Sequence, residues 1–172
     1  MTALQTDYDT QTAAGLSVVE HPADKLTRLA RHYDGKGFLS AIKSGELPVP
    51  PMAETLGFQI REIGAGTVTF AYAPSLEHYN AAGVVHGGLA AALLDTAMGC
   101  AVQTLLPKES TISTLDVNVR YVRPMTVRTG RVFATATTTH RGRRTATAEG
   151  RIVEATTGRL LATATTTVFI QP

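Results

Sequence analysis

The residue best suited to chemistry is Asp95, the single charged side chain in the apolar run Leu89–Leu106. A carboxylate among apolar side chains is costly unless it is paired or serves a function. A carboxylate of this kind can serve as the base in a reaction. Asp95 is therefore a candidate catalytic residue, and a structural role in capping a neighbouring loop is the alternative.

A glycine-punctuated stretch precedes this run and reads Asn80-Ala-Ala-Gly83-Val-Val-His86-Gly87-Gly88. Apolar residues then recur at helical spacing, which predicts a helix that begins near His86 or Gly87. The free N–H groups at a helix start favour negative charge, and glycine lets a substrate approach the backbone closely. The N–H groups around Gly87 and Gly88 are thus candidate donors to an oxyanion.

The spacing between these two features predicts how a site would be assembled. Asp95 follows Gly87 by eight residues, which is about 12 Å along a helix at ~1.5 Å per residue. Chemistry at one carbonyl needs its donors and its base within about 3 Å of the reacting atoms. One helix cannot easily supply both, but two antiparallel copies from two subunits could. We therefore expect a site shared across a two-fold dimer.

Composition and the termini bound the class of protein. With 172 residues, 44% hydrophobic and 17% charged, the chain is expected to form one globular domain. No apolar run reaches the roughly eighteen residues of a membrane span, and no secretory signal is visible at the N-terminus. Cys100 is the single cysteine and lies in the apolar helix. We expect a cytoplasmic protein with a buried structural thiol.

Residues 1–50 and 51–172 are expected to differ in organisation. We predict that residues 1–50 form a polar leader with short helices over Ala23–Tyr33 and Phe38–Ser44. The segment Pro48–Pro51 is predicted to be a stiff connector to the second part. The second part begins with a predicted hairpin of Leu56–Ile63 and Thr67–Ala73. After the long helix, four further strands are predicted: Thr111–Val122, Gly130–Thr139, Thr145–Ala155 and Arg159–Ile170.

The hexamer Ala-Thr-Ala-Thr-Thr-Thr occurs twice, at 134–139 and 162–167. This alternation predicts strands with small alanines facing a closely packed helix and threonines facing outward. Two strands, one long helix and four strands together indicate an α+β fold, in which an antiparallel sheet wraps every face of a single central helix.

With these residues in view, the chain resembles the PaaI-like acyl-CoA thioesterases of the hotdog fold, in the 4-hydroxybenzoyl-CoA thioesterase superfamily. The resemblance rests on Asn80-x-x-Gly83-x-x-His86-Gly87-Gly88, on Asp95, and on the strand Thr114-x-Asp116-x-Asn118-x-x-Tyr121-x-x-Pro124. It covers about residues 52–170. It implies hydrolysis of a small aryl- or medium-chain acyl-CoA, no cofactor besides the CoA of the substrate, and homodimers that often pair into homotetramers.

The resemblance also implies roles for single residues. The N–H of Gly87 would bind the thioester oxygen with help from Asn80, and Asp95 of the neighbouring subunit would be the general base or nucleophile. A hydroxyl on the following strand would orient the water: counting from Asp116 favours Thr114, whereas counting from Asp95 favours Ser113.

Two residues of the glycine-punctuated stretch have structural alternatives. His86 can hold the loop through a ring nitrogen rather than act in the chemistry, and Asn80 can shape the loop. The remaining histidines and the one cysteine show no metal-ligand spacing, so no metal site is expected.

Arginines crowd the C-terminal half, most densely in His140-Arg-Gly-Arg-Arg144. A solvated face is the ordinary interpretation of each. A glycine flanked by arginines can also hold phosphate, and the CoA tail carries phosphates. The candidate tail-binding residues are Arg123, Arg141, Arg143 and Arg144. Nucleic acid is not expected, because the net charge is only +2 and no aromatic residues interleave with the arginines.

Two other functions compete with thioester hydrolysis. One is a non-catalytic acyl-CoA-binding or regulatory domain on the same fold, although a binder would need no base such as Asp95. The other is a dehydratase on the same fold, which we would expect to pair a histidine with an acid in a different motif.

Overall fold

Six antiparallel strands form one sheet in the spatial order β1-β2-β4-β5-β6-β3. The computed structural model describes the backbone of residues 22–171 and the side chains of residues 26–171. Residues 1–21 of the predicted leader, His21 among them, lie outside this range. The strands are β1 (Gln59–Gly64), β2 (Thr67–Tyr72), β3 (Thr111–Tyr121), β4 (Val132–Arg141), β5 (Thr145–Glu154) and β6 (Leu160–Gln171). The predicted hairpin and the four later strands are confirmed.

The repeated hexamers lie on β4 and β6, and their alanines face inward as predicted. Ala134 and Ala136 of β4 and Ala162 and Ala164 of β6 are buried. Gly150 of β5 allows an equally close approach, since a Cβ there would lie 3.1 Å from side-chain atoms of both Leu94 and Met98. Small residues therefore line the sheet where the central helix packs against it.

The part of the chain that the structure describes contains four helices: α1 (Pro22–Ala30), α2 (Gly35–Ser44), α3 (Pro51–Leu56) and α4 (Gly87–Gln103). Single turns of 3-10 helix lie at Leu76–His78 and Val127–Thr129. The central helix α4 starts at the predicted residue, and Leu93, Ala97 and Ala101 are fully buried in it. The sheet does not cover every face, however. A stripe that includes Asp95, Thr96 and Cys100 is only half-buried.

The two short helices predicted near the N-terminus are present as α1 and α2, and α3 is a helix that was not predicted. The predicted connector ends at Pro50, since Pro51 already belongs to a helix, and the predicted strand start at Leu56 was wrong because the strand begins at Gln59. Helix α3 begins at Pro51 and ends before Gly57, whose φ is 71°. Proline suits the first position of a helix, because its N–H would have no partner there and its φ is already helical.

Among residues 22–171, no helix is long and apolar enough to cross a membrane.

Candidate active site

Asp95 lies at mid-helix on the half-buried stripe of α4, and it opens onto a cleft of about 840 Å³. The Thr114 hydroxyl donates a hydrogen bond of 3.0 Å to Asp95 Oδ1. Thr114 comes from β3, the strand at one edge of the sheet. The carboxylate is therefore partnered on one oxygen and still reachable from the surface.

A β-bulge in β3 accounts for the choice between Thr114 and Ser113. The register against β6 shifts between Thr114 and Asp116, so that Leu115 is an extra residue there. Neighbouring residues of a strand face opposite sides, so Ser113 faces away from Thr114. The structure brings Thr114 to the carboxylate, and its role in orienting water stays a prediction.

The loop before α4 is shaped by Asn80. Its Oδ1 accepts hydrogen bonds from the N–H groups of Ala82, at 2.9 Å, and Val84, at 3.5 Å. Gly83 completes the turn with a φ of 76°, a conformation that glycine adopts at little cost. The side-chain oxygen of Asn80 thus serves the loop, and its NH₂ group is the part that could donate to a substrate.

His86 is the N-cap of α4. Its Nδ1 accepts a 2.9 Å hydrogen bond from the N–H of Gly88, which satisfies one of the free donors of the helix start. Within residues 22–171, no hydrogen bond engages the N–H of Gly87. Of the two candidate oxyanion donors, the structure leaves Gly87 available and uses Gly88 to hold the cap.

Tyr121, at the end of β3, holds the carbonyl of Gly87. Its hydroxyl donates a 2.9 Å hydrogen bond to the Gly87 carbonyl. A Cβ at position 87 would lie 3.1 Å from Cζ of that ring, so glycine fits this contact best. From the sequence, Tyr121 had no predicted role beyond its place in the strand motif.

The candidate donor and the candidate base open onto different clefts of one chain. Asn80, Gly87, Tyr121 and Arg123 line a cleft of about 350 Å³ at the start of α4. Asp95 and Thr114 line the 840 Å³ cleft on the open side of the helix. We call these the Gly87 cleft and the Asp95 cleft. Their separation agrees with the distance argument that one chain cannot supply both groups to one carbonyl.

Known proteins place this arrangement in a family. A family profile described as Thioesterase superfamily matches residues 82–161. A phenylacetic acid degradation-related protein from Ralstonia eutropha JMP134 is 33% identical, with a TM-score of 0.69, over 76% of this chain and 98% of that protein. The chain belongs to the thioesterase superfamily. It has the hotdog fold, and it is a thioester hydrolase.

Two other solved structures are also similar to this thioesterase. The phenylacetic acid degradation protein PaaI from Thermus thermophilus is 33% identical over 70% of this chain and 98% of that protein, with a TM-score of 0.63. A thioesterase from Haemophilus influenzae is 26% identical over 70% of this chain and 82% of that protein, with a TM-score of 0.65.

A protein of Halobacterium salinarum designated an esterase is 54% identical over 44 residues. That stretch is 24% of this chain and 29% of the esterase, so the match spans less than a third of that protein's length.

The four arginines predicted to bind phosphate fall in two places on the thioesterase. Arg123 lines the Gly87 cleft, and its Nη1 donates a 2.7 Å hydrogen bond to the Leu160 carbonyl. Arg141, Arg143 and Arg144 lie exposed at the β4–β5 turn, outside the residues that line either cleft. The structure therefore joins only Arg123 to the candidate site within one chain.

Cys100 also lies beside the Asp95 cleft of the thioesterase. Burial raises the pKa of its thiol to about 12, and the negative charge of Asp95 adds a smaller increase. A thiol that stays protonated at neutral pH is a poor nucleophile. This agrees with the interpretation of Cys100 as a structural residue.

Proposed function

We propose that the protein hydrolyses the thioester of an acyl-CoA with a small aryl or medium-chain acyl group, with Asp95 as its general base. The observation that carries the proposal is the Asp95 carboxylate, which is partnered by Thr114 and open to a cleft in a member of a thioesterase family. A domain that only bound acyl-CoA would have no use for a carboxylate at this position.

The reaction follows from the groups at the site. Asp95 takes a proton from water as the water oxygen attacks the thioester carbon, and the Thr114 hydroxyl holds Oδ1 and can accept from the same water. The negative charge on the carbonyl oxygen is stabilised by the N–H of Gly87 and the NH₂ group of Asn80. When the C–S bond breaks, the thiolate recovers the proton from Asp95. The products are a carboxylic acid and free CoA, with the carboxylate restored.

A direct attack by Asp95 on the thioester carbon is the other route open to this carboxylate, with an anhydride that water then hydrolyses. The two routes share the same residues and the same products.

We further propose that the site is completed by a second copy of the chain. Strand β3 is at the sheet edge, and two of its large hydrophobic residues, Leu115 and Tyr121, are 60% and 55% exposed. Exposed strand edges and large apolar side chains are usually covered in soluble proteins. A two-fold dimer through this edge would bring Asp95 of one subunit towards Gly87 of the other, and two dimers would form the homotetramer.

For the CoA tail, Arg123 is the first candidate because it lines the Gly87 cleft. Arg141, Arg143 and Arg144 could bind phosphate only in an assembly that brings their turn to another subunit's cleft. We expect the enzyme to work in the cytoplasm without a cofactor, a metal, a nucleic acid or a membrane partner.

Release of free thiol from a panel of acyl-CoA thioesters tests the proposal, with Asp95→Asn as the matched control. Asparagine keeps the shape of the side chain and can still accept from Thr114, but it cannot take a proton. Turnover should fall at least about a hundredfold, as the loss of a general base usually causes. Thioester binding without hydrolysis by the native protein would instead support the non-catalytic binding domain.

A further inference from the structure

The Asp95 cleft extends well beyond the carboxylate. Gly99 and Gln103, which follow Asp95 at helical spacing, both line it. The cleft thus follows α4 for about 12 Å, at ~1.5 Å per residue. Gly99, at the middle of this path, is buried, and a Cβ there would lie 3.2 Å from Cδ1 of Ile112, which also lines the cleft. The length of the cleft along α4 therefore suits an extended group.

The wall opposite α4 comes from the N-terminal helices. Leu26 and Ala30 of α1, Tyr33 from the turn after it, and Phe38 of α2 all line the cleft. Leu26 is buried and the other three are partly buried. Leu39 of α2 also lines the cleft, as do the polar Thr27 and Arg31. Most of the residues that face the helix with the candidate base are therefore apolar or aromatic.

This wall is held firmly against the C-terminal end of α4. The N–H of Gly35, at the start of α2, donates a 3.0 Å hydrogen bond to the Leu106 carbonyl. A Cβ at position 35 would overlap the Gln103 carbonyl oxygen, at 1.7 Å, so the two backbones are in direct contact. Leu26 joins α1 to α2 through a cluster with Ala41, Ile42 and Leu47. The N-terminal helices are thus a fixed part of the cleft.

The charges of the two clefts differ in sign. Arg123 is the one charged residue among those that line the Gly87 cleft in the described chain, which gives +1. Arg31, Asp95 and Glu109 line the Asp95 cleft, which gives 1 − 2 = −1. The phosphates of CoA favour the positive cleft, and an uncharged acyl group is the part of the substrate suited to the other.

We infer that the Asp95 cleft binds a medium-chain acyl group along α4, and that Ala30 of α1 determines how large an acyl group fits. Ala30 is the smallest side chain that α1 contributes to the cleft, and it lies one helical turn from Leu26 on the same face. A larger side chain at position 30 would fill the space from the α1 side. The inference rests on the proposed acyl-CoA thioesterase activity and names the acyl class and the residue that selects it.

The test compares Ala30→Phe with native protein on acetyl-, butanoyl-, octanoyl-, dodecanoyl- and phenylacetyl-CoA. Ser40→Phe is the matched control, since Ser40 is exposed on α2, outside the cleft, and its hydroxyl bonds only the Lys36 carbonyl. Native protein should prefer octanoyl- or dodecanoyl-CoA. Ala30→Phe should lower kcat/KM for these about tenfold, the effect of losing burial of roughly two methylenes, and change acetyl-CoA less than about twofold. Ser40→Phe should match native protein on every substrate.

The outcomes distinguish the thioesterase activity itself from the role of Ala30 in acyl-chain selection. If native protein hydrolyses none of these thioesters, the proposed function fails. If it hydrolyses them but Ala30→Phe changes all to the same extent or none, the role of Ala30 is wrong while the thioesterase activity stands. A native preference for acetyl- or phenylacetyl-CoA would overturn the medium-chain assignment. Circular dichroism and thermal unfolding check the fold, and Ala30→Leu, with a smaller shift in the same direction expected, decides the question if Ala30→Phe does not fold.

Discussion

The Thr114 hydroxyl donates to Asp95 Oδ1 at 3.0 Å, across the gap between the edge strand β3 and the central helix α4. This bond holds one carboxylate oxygen, and within residues 22–171 no hydrogen bond engages the other, which can therefore bind water. Because Thr114 makes this bond and Ser113 faces away, substitutions at the two positions should affect kcat differently.

Thr114→Val should lower kcat, because it removes a hydrogen bond to a charged group, worth about 1.5–3 kcal/mol, while it keeps the side-chain shape. At roughly 1.4 kcal/mol per tenfold, this is a loss of ten- to hundredfold. Thr114→Ser should restore most of the activity, and Ser113→Ala should have little effect. Steady-state kinetics with one acyl-CoA measure all three. A larger effect at Ser113 than at Thr114 would reverse the assignment.

Tyr121→Phe should remove a hydrogen bond of about 1 kcal/mol from the Gly87 carbonyl. The N–H of the same residue would then be held less precisely, so kcat should fall about fivefold. A merely structural role would lower the melting temperature without changing kcat. Thermal unfolding and kinetics on the same samples distinguish the two. An unchanged kcat would show that Tyr121 has no part in positioning Gly87.

Arg123→Gln should raise KM for acyl-CoA about tenfold, the effect of losing one charged contact with phosphate. The same variant should act normally on the N-acetylcysteamine thioester of the same acid, which carries no phosphate. Arg141→Gln is the control, because Arg141 lies away from both clefts of its own chain. If Arg123→Gln raised KM equally for both substrates, the role of Arg123 would be structural. A larger rise in KM for Arg141→Gln would indicate that the CoA tail binds at the β4–β5 turn instead.

Because of the Cys100 thiol, the free energy of unfolding should decrease as the pH rises above 9. Its pKa rises from 9.0 to about 12 on folding, mainly through burial. Between these values the folded state holds the proton and the unfolded state does not, so the free energy of unfolding falls with increasing pH, by at most about 1.4 kcal/mol per pH unit. Below pH 9 the effect is absent. Cys100→Ala should show a smaller alkaline loss in denaturant unfolding from pH 8 to 11, and an identical slope would contradict the burial of this thiol.

Much of the fold was predictable from local patterns. The helix that starts at Gly87 follows from apolar spacing and the glycine-led start, and the Ala-Thr alternation fixed which faces of β4 and β6 are buried. Helix α3 was missed because Pro51 was interpreted as part of a connector, although proline also suits the first position of a helix.

The details of the site depended on contacts between distant residues. The bulge at Leu115 depends on the pairing of β3 with β6, so neither way of counting could choose between Thr114 and Ser113. The contact of Tyr121 with Gly87 spans 34 residues of sequence. The N-terminal wall of the Asp95 cleft arises only when α1 and α2 dock on α4, which no local pattern indicates.

Asp95 and Gly87 of the same chain open onto separate clefts, so the central claim is that two subunits together make each active site. Co-expression of two inactive variants, Asp95→Ala and Gly87→Pro, tests this most directly. Proline removes the N–H, and both the first position of α4 and the ψ of 132° at His86 are compatible with it. Its Cβ would lie 3.1 Å from Cζ of Tyr121, so circular dichroism and thermal unfolding check that the variant folds before the subunits are mixed.

Each variant carries a different affinity tag, so that heterodimers can be purified through both tags and compared with either homodimer. A shared site predicts that the heterodimer regains activity, up to about half that of native protein, since one of its two sites has both the carboxylate and the N–H. Verified heterodimers as inactive as either parent would contradict the account.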